Sequence, residues 1–169
     1  MLNLTTQTLH GAVFTDLQLQ KADFTKCTAN DAVFKRSNLV DASFEDADVT
    51  GSIFDFTTLI DSSFVNAMAR DCSFIEANCQ RMVANTADFS GSNFECVNFK
   101  DAQLNGVDFT GCNLVGVDFT GAKLTNCKFT DADITGAEFD GADTTNAMFD
   151  GCYVDIVTGT QTLRISASN

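Results

Sequence analysis

The chain has 169 residues with 23 acidic and 10 basic side chains, a net charge of −13. That balance argues against a phosphate-binding surface, which needs a basic face, and one Tyr with no Trp leaves little for base stacking. The length fits one domain, and the absence of Pro leaves no break signal along it.

From Leu4 onward a five-residue period runs without an insertion. The column Leu4, Leu9, Phe14, Leu19, Phe24 continues through Phe149 to Val154, 31 positions in all, and holds 15 of the 16 phenylalanines. Phe56 is the exception. We call this column the centre. Two residues before it lie small side chains: 14 Ala, 5 Cys and 4 Ser among 31 positions. Two residues after it, at what we call the corner, lie 10 of the 11 glycines, among them Gly51, Gly91 and Gly121. A period of five fits neither a helix nor a plain strand. One short straight segment and one corner per pentad satisfy all three columns, because corners need the positive φ that glycine supplies. A short strict repeat of this kind fixes a stacked rod.

Up to Phe74 phenylalanine recurs every ten residues, and from Phe109 to Phe149 it recurs every ten again, five residues out of step. Four pentads per coil would set residues 20 apart one above another and residues ten apart on opposite sides. The Phe ladders should then shift by one side through Cys79, Ala84, Phe89, Phe94 and Phe99 while the rod stays continuous. Core volume is conserved across that change, which packed interiors tolerate best.

Several pentads, AlaAspPheThrLys (22–26), AlaAspPheSerGly (87–91), ValAspPheThrGly (107–111 and 117–121) and AlaAspIleThrGly (132–136), resemble the A-(D/N)-(L/F)-x-x unit of the pentapeptide-repeat family. The resemblance covers about nine-tenths of the chain. It implies an all-β right-handed quadrilateral β-helix with four pentads per coil and nearly eight coils. At a strand spacing of ~4.8 Å the rod would be roughly 38 Å long. We expect a single repeat domain over 1–156 and a cap or tail over 157–169.

Of the seven cysteines, Cys27, Cys72, Cys112, Cys127 and Cys152 fall in the small column, Cys79 is a centre and Cys96 a corner. Cys72, Cys112 and Cys152 would lie two coils apart, ~9.6 Å, beyond disulfide reach. They read as small apolar fillers, with no metal, cofactor or disulfide expected. The one histidine, His10, lacks a paired acid at a diagnostic spacing. No phosphate loop, nucleophile elbow or metal-ligand cluster is present, so no catalytic residue is expected and the chain reads as a binding or structural protein. No basic n-region with an apolar stretch opens the chain, and no apolar run of 18 residues occurs. Those absences predict a cytoplasmic protein without a membrane contact.

Two surfaces stand out. Residues 101–155 carry ten acids and two bases. Asp88 should lie under Asp108, Asp118 under Glu138 and Asp41 under Asp61, an arrangement that like-charge repulsion disfavours. Outward acids at Asp88, Asp108, Asp118, Asp131, Glu138 and Asp150 could imitate nucleic acid: 38 Å of duplex carries about 22 charges. The best-understood branch of the resembled family, the quinolone-resistance and toxin-protection proteins, comprises acidic dimeric rods that occupy the DNA site of DNA gyrase. The resemblance therefore implies gyrase, or another DNA-binding protein, as partner. The tail 157–169 departs from that branch, whose dimers join through an apolar C-terminal element. The second surface is apolar. Val13, Val33 and Ile53 should form one column, joined by Phe56 and Ile75, a patch of the kind that marks interfaces. It supports the alternative, a scaffold or assembly protein with no topoisomerase target, with a homodimer among the assemblies open to it. Salt separates the two, since electrostatic imitation weakens with salt and apolar assembly does not.

Overall fold

The computed structural model describes residues 2–154, and the predicted cap or tail over 157–169 lies outside them. Regular parallel β-bridges run from Asn3↔Asp23 to Asp133↔Tyr153, and every one joins residues 20 apart. Each coil thus takes four pentads. Pentads 20 apart form four stacks, which we number by their first centres: the first from Leu4, the second from Leu9, the third from Phe14 and the fourth from Leu19. Each pentad contributes one bridging residue, just before its centre, and the backbone bonds run coil to coil, as in Phe54 N–H to Ser73 O at 2.6 Å and Phe56 N–H to Ile75 O at 2.9 Å.

The corners explain the period. The amide three residues after a centre donates back to that centre's carbonyl, as from Ala22 to Leu19 at 3.0 Å, which closes a turn. The corner residue has positive φ at every pentad from Thr6 to Gly151, 20 times in a residue other than glycine. A turn of that kind demands positive φ at its third residue. Eleven of the 20 are Asp or Asn, the side chains that tolerate this region best. The centre and the small position point inward and the rest outward. Where the small position is Ser or Cys, its side chain stays satisfied. Ser52 and Ser92 donate to the carbonyls of Ala29 and Ala69 at 2.8 and 2.9 Å, and the thiols of Cys112 and Cys127 donate to Phe89 and Leu104 at 3.1 and 2.9 Å.

The ladder shift falls where the spacing predicts. In the third stack, Phe14, Phe34, Phe54, Phe74 and Phe94 stack at 4.7–4.9 Å between centroids, and Phe24, Phe44 and Phe64 stack at 4.6 Å in the first. From Phe89 and Phe99 the ladders continue in the second and fourth stacks, to Phe149 and Phe139. Phe64 meets Phe89 tilted at 6.1 Å. Bridges continue through 78–103, so no loop or helix interrupts the rod.

Candidate functional site

The column predicted for the apolar patch is formed by direct pairing. Val13 bridges Val33, Val33 bridges Ile53, and Ile53 bridges Ser73. Val13 is 70% exposed and Phe56 44%, while Val33, Ile53 and Ile75 are half-buried. The amide of Phe56 donates to Ile75 O, which sets those two residues on adjacent coils. All five residues therefore lie in the N-terminal part of the third stack.

The structure adds three neighbours to the patch. Leu17, 42% exposed, extends it around the first coil. The Lys35 ammonium sits 5.4 Å from the Phe56 ring centroid and 3.8 Å from Asp55 Oδ2. Arg36 grips Asp16 through two bonds of 2.7 and 2.8 Å, and the guanidinium holds the Asp16 carboxyl below its ordinary pKa. The patch is thus a stripe of apolar side chains edged by ion pairs. The register of 20 would have found Arg36 opposite Asp16, and only the three-dimensional path finds Lys35 over Phe56.

Asp and Asn are the commonest residues at the bridging position, 13 of 31, for a local reason. Its Oδ1 accepts the N–H two residues on, as Asp108 does from Thr110 and Asn38 from Val40, an Asx-type turn. Val13, Val33 and Ile53 give up that acceptor. The N–H groups of Thr15, Lys35 and Asp55 then have no acceptor among the described residues.

The six candidate acids do not gather on one side. Asp88, Asp108, Asp131 and Asp150 belong to the second stack, whereas Asp118 and Glu138 belong to the fourth, opposite in the coil. Asp88 does bridge Asp108, and Asp118 bridges Glu138. Three of the six are paired with bases, however: Asp88 with Arg70 at 2.5 Å, Asp108 with Lys128 at 3.0 Å and Asp118 with Lys100 at 3.2 Å. Asp61, over Asp41, is held by Arg81 at 2.7 Å. The expected like-charge stacks are each relieved by a cation. Arg70–Asp88 and Lys100–Asp118 are 18 residues apart, a diagonal between neighbouring coils that recurs in Asn30–Asp48 and Ser73–Asp55.

Partial burial disfavours the charged form of Asp88, Asp108 and Asp118. Hydrogen bonds from Ser90, Thr110 and Thr120, joined by the bases, outweigh it and hold all three carboxyls below the ordinary value. The second stack nonetheless keeps the largest acidic excess, seven acids to two bases.

Burial pushes the thiol of Cys27 up to about 11 and those of Cys72, Cys112 and Cys127 up to about 12, so these are poor nucleophiles. Cys96 stands exposed at a corner, and His10 is exposed. Among the described residues no group of His, Cys, Asp and Glu could hold a metal ion, and no helix is long and apolar enough to cross a membrane.

A family model described as a pentapeptide repeat region matches residues 66–139 and 85–158, and a second, for pentapeptide repeats in eight copies, matches 18–55. No curated protein matches. Among solved structures, the chain is similar to HetL, a pentapeptide repeat protein involved in heterocyst differentiation regulation in the cyanobacterium Nostoc sp. strain PCC 7120. Identity is 20%, coverage 89% of this chain and 77% of HetL, and the TM-score 0.54. A pentapeptide repeat protein of the Arabidopsis thaliana thylakoid lumen aligns at 27% identity over 73% of this chain and 72% of its own, with a TM-score of 0.51. A trypsin-treated form of QnrB1, a plasmid-mediated fluoroquinolone resistance protein, aligns at 17% identity over 88% and 92% of the two chains. Its TM-score is 0.45.

Proposed function

This chain belongs to the pentapeptide repeat family, and from that premise we propose that it works without catalysis, by holding a rigid surface against a protein partner in the cytoplasm. In this reading the described residues 2–154 form one right-handed quadrilateral β-helix, and each stack makes one flat side. The working surface is the N-terminal part of the third side. One observation carries the reading: Val13 and Phe56 are exposed beside Val33, Ile53 and Ile75 on adjacent coils. At the same height the other stacks present Asp23, Ser43, Asp48, Asn38 and Thr58 in that column. An apolar patch in line on a charged rod is what interfaces use. Affinity capture from an extract tests it. The Ile53→Asp, Phe56→Asp double variant should keep the wild-type circular dichroism and melting midpoint and lose the partners that the wild type retains. A folded double variant that retains them all sinks the reading.

The acid-rich second side favours a second reading, imitation of duplex DNA toward gyrase or another DNA-binding protein. It is supported by seven acids against two bases on one stack and by Asp88 bridging Asp108. The protein should then inhibit gyrase supercoiling, less well as salt rises. Asp88→Asn, Asp108→Asn, Asp131→Asn and Asp150→Asn together, all on the second side, should relieve the inhibition. Absence of inhibition at micromolar protein removes this reading.

A further inference from the structure

We draw no further inference here: the strongest candidate, the apolar N-terminal edge of the first coil, where Leu2 and Leu17 are exposed and the backbone N–H and C=O groups of Asn3, Thr8, Val13 and Gln18 have no backbone partner among the described residues, carries none because nothing in the structure shows what covers it.

Discussion

The first 20 corners of the rod and its last ten solve the same problem with different chemistry. From Thr6 to Asp101 only Gly11, Gly51 and Gly91 are glycines, whereas from Gly106 to Gly151 seven corners of ten are. Positive φ costs a residue with a Cβ about 1–2 kcal/mol. Glycine avoids that strain but loses more chain entropy on folding. The N-terminal corners offset the strain with contacts glycine cannot make: Arg36 to Asp16, Arg81 to Asp61, and Asn66 to Asp46 at 3.0 Å. The two chemistries also meet. Asp31, Asp71, Asp101 and Asp131 each fold a carboxylate over the corner glycine of the next coil, where a Cβ would come within 2.3–2.4 Å of the oxygen. A corner Asp is thus answered 20 residues on by Gly, Arg or Asn, and among eight only Asp41 is answered by another Asp. One period can therefore be built by removing strain or by recovering it in side-chain bonds.

If the difference lies in the corners alone, the interiors must be equivalent. Phe54 and Phe119 are both fully buried. Truncating either to Ala should cost ~3–5 kcal/mol by urea denaturation. Phe119 should sit at the lower end, since its ladder neighbours lie at 5.5 and 5.2 Å against 4.7 Å on both sides of Phe54. A gap of several kcal/mol would break the comparison.

The corners come next in size. Gly111 has φ of +67° and nothing within 4 Å of where an added methyl would sit, so Gly111→Ala should cost about 1 kcal/mol from backbone strain alone. Gly121→Ala should cost more, because its Cβ would lie 2.4 Å from Asp101 Oδ1. Adding Asp101→Ala should close the gap between them. If Gly121→Ala is the milder change, the carboxylate swings aside freely and packs nothing. Cys96→Gly, at φ of 57° with an exposed side chain, should gain a few tenths of a kcal/mol.

How far these features can be read in the sequence depends on the distance they span. The period, the inward columns, the ladder shift at 79–99 and the stripe of Val13, Val33 and Ile53 are all legible, because each pentad repeats one local geometry. The register of 20 also finds Lys128 over Asp108. The pairing of Asp88 with Arg70 and of Asp118 with Lys100 is not legible, because both pairs run along the 18-residue diagonal and not along the direct stack. The acids also serve the backbone, since each accepts the amide two residues on. Charge counting cannot see that. Leu17 is hidden from a column reading because its column is otherwise inward, and only the first coil leaves it uncovered.

A smaller effect follows from those acids. Asp108 has its pKa lowered, so its contribution to stability is present above the unfolded value of about 3.9 and is lost as pH falls through the folded one. Asp108→Asn should cost under ~1 kcal/mol at pH 7, since the Lys128 pair is half in solvent, and nothing measurable at pH 2. A cost independent of pH would mean the charge does no work there. The least energetic test is thiol labelling at pH 8. Cys96 should react at once, Cys152 slowly, and the remaining five only after denaturation. Rapid labelling of Cys79 or Cys112 would mean the core opens.

The register of 20 gives this chain a unit of length alteration. Excising 20 residues would remove one coil and return every later side chain to its own stack. Excising five would keep inside and outside intact but carry everything downstream a quarter of the way around. The offset between the ladders ending at Phe64 and Phe94 and the ladders beginning at Phe89 and Phe99 has the form that a change of the second kind would leave. A lineage that gains or loses single pentads can rotate a stripe such as Val13–Ile53 relative to an acidic side without disturbing either, and so re-aim two surfaces on one shaft.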